Sequence, residues 1–305
     1  MQRTNILAGE FSPSGIETAR CYRRIYLQKV LGLSPIFSTT ALEYGSAIHA
    51  GVEAFYGCSG KGLTLPDVQR VAVAAFVTYW QEAGCAEDKK HTLGGGILTM
   101  NDYCSRYWGD IEGFVLEDIE SEQWCPMPNG TSLLVKMDRV FNTEGRITVV
   151  DTKTTGMSLT DYYFRQFDNQ MQTTLYAYVV EQMLGRCDSI QIDAIKKPPP
   201  TTARGEGFAR QSFIRTPLQI QDAVNSYCSI TDYIMAGVAL PEAERPTHFF
   251  CNQAECSKYS GCPYLPICQH GLDHPTVGVN FTCNPPKPLS EVKADLAEMD
   301  KGEGS

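Results

Sequence analysis

Two β-rich runs near the middle of the chain constrain the fold more than any other feature. Residues 131–141 (TSLLVKMDRVF) and 146–153 (RITVVDTK) are dense in β-branched and apolar residues, and Asn142-Thr143-Glu144-Gly145 between them has turn composition. The pattern predicts a hairpin, and a lone hairpin is at best marginally stable, so these strands must belong to a larger sheet covered by other elements. Helices are predicted at 15–31, 41–56, 66–84 and about 100–120 before the hairpin, with Gly94-Gly95-Gly96 between the last two, and at 165–184 and 216–237 after it. Residues 189–196 (SIQIDAIK) predict one further strand, and Pro198-Pro199-Pro200 a break after it. This order predicts an α/β fold with a small mixed central sheet flanked by helices.

The chain has 305 residues, 43% of them hydrophobic, enough to fill a core. It reads as one large domain over 1–275 and a charged tail over 276–305. No run approaches the roughly 20 apolar residues of a membrane span. The N-terminal segment has no long apolar stretch of the secretory kind, so a cytoplasmic protein with no membrane partner is expected. A net charge of −9 argues against nucleic-acid binding over the whole surface and leaves room for a local basic groove. Basic residues cluster at Arg20, Arg23, Arg24 and Lys29, and again at Lys196, Lys197, Arg204, Arg210 and Arg215.

Asp151 and Lys153 lie two apart on the predicted second strand, so both project from one face. Asp138, near the end of the preceding strand, is expected across the hairpin within reach of the same cation. Hard divalent ions take one or two carboxylates and leave the other positions to water and phosphate oxygens. Taken alone, an Asp-x-Lys at a strand end is more often an exposed ion pair than a catalytic one. His49 stands on an otherwise apolar helix, where a satisfied core histidine is the commoner outcome. Gln172 and Tyr176 share a helix face at i and i+4, with Gln170 just upstream.

Twelve cysteines without an export segment are unlike a disulfide framework. Cys58, Cys85, Cys104, Cys125, Cys187 and Cys228 are scattered as small hydrophobes. Cys251, Cys256, Cys262 and Cys268 are grouped, the last three spaced C-x5-C-x5-C among prolines and glycine. Thiolates are soft ligands for zinc or iron–sulfur clusters, and zinc sites more often use tight C-x2-C pairs. Free thiols and zinc remain alternatives to a cluster.

Together these segments resemble the RecB-like branch of the PD-(D/E)XK nuclease superfamily, near phage-type exonucleases and CRISPR-adaptation nucleases. FSPSGIETARCYRRIYL, GSAIHAGVEAFY, VKMDRVF, VVDTKTT and the Gln/Tyr helix carry the resemblance, which spans about 11–270. It implies a restriction-endonuclease-like core and a Mg²⁺- or Mn²⁺-dependent deoxyribonuclease, an exonuclease on single-stranded DNA ends. It further implies His49, Asp138, Asp151 and the Thr152 carbonyl as metal ligands and Lys153 as the catalytic lysine. Gln170, Gln172 and Tyr176 would support substrate or lysine, and Glu122 would be the acidic residue before the first strand. It supplies Cys21 as the fourth ligand, beside Cys256, Cys262 and Cys268, of a 4Fe–4S clasp, with Cys251 as the spare thiol or the ligand in place of Cys256. Two other roles are compatible with it: trimming DNA fragments beside an integrase or recombination partner, or a catalytically silent iron–sulfur DNA-binding module. The chain departs from many members at Leu134-Val135-Lys136, where they carry a glycine.

Overall fold

The structure is a computed structural model, described here for residues 4–17, 20–36, 39–113, 115–197, 207–257 and 261–286. The chain begins with β1 (Glu10–Phe11), α1 (Pro13–Glu17), α2 (Tyr22–Ile25) and β2 (Leu33–Pro35). Four helices follow: α3 (Thr40–Tyr56), α4 (Leu65–Glu82), α5 (Leu93–Arg106) and α6 (Trp108–Gly113). Five strands come next: β3 (Val115–Ile119), β4 (Glu122–Pro126), β5 (Ser132–Lys136), β6 (Arg139–Thr143) and β7 (Arg146–Thr155). Then come α7 (Asp161–Phe164), α8 (Met171–Leu184), β8 (Ser189–Lys196), β9 (Phe208–Phe213) and α9 (Pro217–Ala239). The last elements are α10 (Arg245–His248), α11 (Leu265–His270), α12 (Pro275–Asn280) and β10 (Phe281–Cys283).

Where 1–275 reads in sequence as one domain, the chain divides into two compact units. One comprises Ser38–Gln123 and Lys136–Ile220, the other Met1–Phe37, Trp124–Val135 and Gln221–Ser305. The former holds a five-stranded mixed sheet in the order β3-β6-β7-β8-β9, in which β7 and β8 are parallel and the other neighbours antiparallel. A parallel pair needs a crossover, which α7 and α8 supply. On one face Tyr44, Phe55, Tyr56, Phe76, Trp80 and Tyr103 of α3, α4 and α5 pack against Phe141, Val150 and Ile195. On the other, Tyr163, Phe164 and Phe167 cover Ile192 and Ala194. The sheet between helical layers agrees with the α/β expectation.

Several boundaries differ from the sequence pattern. The run 131–141 breaks at Met137-Asp138: β5 pairs with β1 in a separate three-stranded sheet, β1-β5-β4, and only β6 forms the hairpin with β7. That hairpin closes through two left-handed residues, Glu144 (φ 50) and Gly145 (φ 82), the tight turn that matches strand twist. The predicted helix over 100–120 instead begins at 93, and its last residues are strand β3. Gly96 therefore lies inside α5, because a Cβ there would overlap the Phe76 ring of α4. The predicted helix 15–31 is interrupted at Cys21, whose backbone is extended and which begins α2. Residues 165–170 precede α8 as a 3-10 turn and N-cap rather than helix.

The other unit also contains β2 paired antiparallel with β10. The expected tail from 276 thus starts within α12 and adds a strand; 287–305 lie outside the described residues, as do Arg204 and the proline run 198–200. Gly32 (φ 68) permits this pairing, since the Asn284 backbone occupies the space a Cβ would need. Among the described residues no helix is long and apolar enough to cross a membrane.

Candidate active site

Asp138 sits in the break between β5 and β6, not on the hairpin. Its Oδ2 accepts the Thr152 N–H of β7 at 2.5 Å and faces His49 Nδ1 at 3.6 Å. His49 comes from α3, which Thr39 caps by accepting the Leu42 N–H. One turn earlier, Gly45 lets α3 come close to β7: a Cβ there would lie 2.8 Å from Thr154 Oγ1. A fourth residue joins them. Glu120 follows β3 in a left-handed conformation (φ 50), and its N–H donates to the Asp138 carbonyl at 3.1 Å. One ligand atom from each of His49, Glu120 and Asp138 lies within 4.8 Å of the others. Glu120 is also ion-paired with Lys136. Val52, Glu53, Tyr56, Ile119, Arg139 and Thr152 complete the lining of this pocket.

Asp151 and Lys153 form their own pair on β7, Oδ2 to Nζ at 2.7 Å, with Asp151 only 3% exposed. Beyond Lys153, Asp151 Oδ2 accepts no hydrogen bond among the described residues. The two aspartates have opposite electrostatics. Burial pushes the Asp151 carboxyl up, and Asp138 reinforces this, against the pull of Lys153 and His49. Burial acts on Asp138 too, but His49, Lys153 and the Thr152 N–H outweigh it and hold its carboxyl well below the usual range. Burial opposes charge on His49, yet the Asp138 carboxylate raises its pKa overall. For Glu120, burial raises the carboxyl despite Lys136. A histidine and carboxylates that lie this close and raise one another's pKa are a donor set a divalent cation relieves, so these residues fit one.

Of the helix-face residues, Gln172 Nε2 donates to the Tyr176 hydroxyl at 2.7 Å, and α8 packs on β7 and β8. Gln170 is the N-cap of α8; its carbonyl takes the Thr174 hydroxyl at 2.7 Å while its side-chain oxygen is buried without a donor among the described residues. Glu122 is on β4, and the acidic residue at the site is Glu120, two positions earlier. Its left-handed backbone is the reason: it turns the chain after β3 toward Asp138, and no local sequence pattern announces that.

Four residues of the basic clusters make internal contacts. Lys197 donates to the Ala41 carbonyl at 2.6 Å, and Arg215 to Thr174 and the Phe167 carbonyl. Arg210 binds Asp110 and Asp193. Arg23 donates to the Phe249 and Pro246 carbonyls, and Tyr26 is buried against Phe249.

In the other unit the distant cysteines meet. The segment 249–252 is stitched to the start of α2: Arg23 N–H to the Phe250 carbonyl at 2.9 Å, Asn252 Nδ2 to the Arg20 carbonyl, and the Asn252 N–H to Cys21 Sγ at 3.4 Å. Cys262 N–H bonds the Cys256 carbonyl. Burial raises the Cys262 and Cys268 thiols, and both also feel Cys21 and Cys256. Cys251 is raised by burial and by Cys21, Cys256 and Cys268. Cys21 is buried, Cys256 and Cys262 are half-buried and Cys251 and Cys268 are exposed, and the thiols lie near enough to feel one another's charge. Thiolates are soft ligands, so these residues fit a thiolate-bound group.

Comparison with known families matches residues 10–269 to the PD-(D/E)XK nuclease superfamily. The chain belongs to this superfamily. PD-(D/E)XK nucleases use divalent metals. Among solved structures, a candidate exonuclease from Eubacterium rectale superposes with TM-score 0.51 at 16% identity, covering 79% of this chain and 89% of that one. LHK-Exo in complex with dAMP gives 0.32 at 13% identity (68% and 97%). A phage-related exonuclease from Haemophilus somnus gives 0.30 at 14% (68% and 98%). A search of curated proteins returns no match.

Proposed function

We propose that this PD-(D/E)XK nuclease is a Mg²⁺- or Mn²⁺-dependent deoxyribonuclease that degrades single-stranded DNA from its ends. The observation that carries the reading is the meeting of His49, Glu120 and Asp138 from three separate segments, with Asp138 bonded to the Thr152 N–H between the paired Asp151 and Lys153 of β7. His49, Asp138, Asp151 and the Thr152 carbonyl would hold the ion, with Glu120 added to the set by its position. When bound, such an ion supplies Lewis acidity toward the phosphodiester and makes water nucleophilic at neutral pH. Asp138 is held ionised for this by His49 and the Thr152 N–H. Burial raises the Asp151 carboxyl and the neighbouring Lys153 lowers it. Lys153 Nζ would orient the attacking water and offset charge on the phosphate. Gln172 and Tyr176 would brace the lysine side of the site, with Gln170 at the helix start.

The exonuclease assignment draws on the description of the Eubacterium rectale fold neighbour and on the sequence resemblance. We further propose a 4Fe–4S cluster on Cys21, Cys256, Cys262 and Cys268. It would clasp the N-terminal segment to the loop after α10, with Cys251 beside it. Support for it is the convergence of these thiols. A time course on end-labelled single- and double-stranded DNA, with and without Mn²⁺, tests the activity. Metal-dependent shortening of single strands from one end is expected; internal cuts or metal-independent cleavage would overturn the assignment.

A further inference from the structure

A buried charged row crosses the sheet beside the metal site. Strand register sets Thr152 of β7 opposite Asp193 of β8, and Asp193 opposite Arg210 of β9. Arg139 of β6 reaches into the row: its guanidinium donates to Thr152 Oγ1 at 2.7 Å and pairs with the Asp193 carboxylate. Arg139 and Asp193 are 1% and 0% exposed. The Tyr56 ring lies under Arg139 at 4.2 Å, and the Tyr103 hydroxyl donates to Asp193.

Stability does not account for such a row. Buried ion pairs are often no better than apolar side chains of the same volume. Here Arg139 Nε even lacks an acceptor among the described residues. What the row does supply is geometry at Thr152. That residue is gripped twice, at its hydroxyl by Arg139 and at its N–H by Asp138, and it stands between Asp151 and Lys153.

We propose that Arg139, anchored by Asp193, is a positioning residue for the metal centre. By holding Thr152 Oγ1 it fixes the β7 peptide plane, which aims the Asp138 carboxylate and sets the directions of the Thr152 carbonyl, Asp151 and Lys153. The proposal rests on the metal-site reading above. Outer partners that orient ligands typically change metal affinity about 10–100-fold when lost.

The test is Mn²⁺ affinity of the full chain, measured by electron paramagnetic resonance, with thermal unfolding of the metal-free protein alongside. Thr152→Val keeps the backbone carbonyl and the side-chain shape but removes the acceptor for Arg139; Thr152→Ser keeps it. The valine variant should bind Mn²⁺ about 10–100-fold more weakly, and the serine variant should stay near wild type. Valine binding equal to wild type, or serine as weak as valine, would overturn the proposal. Should the valine variant fail to fold, the pair Arg139→Met with Asp193→Leu leaves neither partner's charge stranded and must show the same weakened binding; unchanged binding there refutes the proposal. Asp138→Asn separates the two claims. If it binds Mn²⁺ as wild type does, the metal-site reading itself falls; if it loses binding while Thr152→Val does not, only the Arg139 inference falls.

Discussion

Replacing Asp193 by Asn should unfold the sheet-bearing unit well below the wild-type temperature. Asp193 is fully buried and faces two guanidinium groups, those of Arg139 and Arg210. Arg210 keeps a second carboxylate, Asp110, at 2.6 Å. Arg139 has no other carboxylate partner among the described ion pairs, so the amide strands one buried cation. Removing one partner of a buried pair costs about 3–5 kcal/mol, and the surviving Asp110 contact places this case near the lower end, about 3–4 kcal/mol. For a unit of this size each kcal/mol lowers the midpoint by roughly 2–4 °C, giving a fall of about 6–16 °C. Circular dichroism melts of metal-free protein at neutral pH would read it. High salt should leave the difference intact, because buried charges are poorly screened. Burial alone would raise the Asp193 carboxyl, but Arg139 and Arg210 lower it. Its contribution is therefore full above roughly pH 4 and is lost as pH falls through the depressed native value, so the gap to wild type should close in acid. A fall under about 2 °C, or a gap that widens in acid, would refute the reasoning.

Glu120→Gln should weaken Mn²⁺ binding at least several-fold in a calorimetric titration, because the carboxylate stands within ligand distance of His49 and Asp138; unchanged affinity would remove it from the site. Metal affinity should rise with pH through a midpoint above the ordinary histidine value of about 6.5, since His49 must be neutral to ligate and Asp138 raises its pKa against burial; the same titration repeated from about pH 5.5 to about 8.5 checks it. Cys262→Ser should abolish absorption near about 400 nm and bound iron in anaerobically purified protein. Colourless wild-type protein holding zinc would instead assign the thiols to that metal.

The part of the candidate site on β7 was legible in sequence because it lies on one strand. The i, i+2 spacing of Asp151 and Lys153 puts them together whatever the rest of the chain does, and β8 (Ser189–Lys196) matches its apolar pattern residue for residue. Asp138, expected near the end of the first hairpin strand, lies instead in the break before β6. The run 131–141 is continuous in composition, yet it serves two sheets, and the partition between partners is a tertiary choice that propensity does not encode. Glu120 was missed for a like reason: a left-handed non-glycine residue after an edge strand leaves no pattern. Gly94-Gly95-Gly96 reads as a breaker until Phe76 is seen to need the space at Gly96. Arg210 and Arg215 look like a phosphate track in sequence, but Asp193, Asp110 and main-chain carbonyls claim them, and those partners lie from 17 to 100 residues away.

The central claim is that Asp138 and Asp151 gather a cation for which Lys153 is the chemical partner. The most direct measurement is cleavage of end-labelled single-stranded DNA by Lys153→Met at saturating Mn²⁺, after paramagnetic resonance has shown the ion bound. The account predicts that this variant binds Mn²⁺ yet cuts about 10²–10⁴-fold more slowly. Cleavage at the wild-type rate with the metal in place would contradict it.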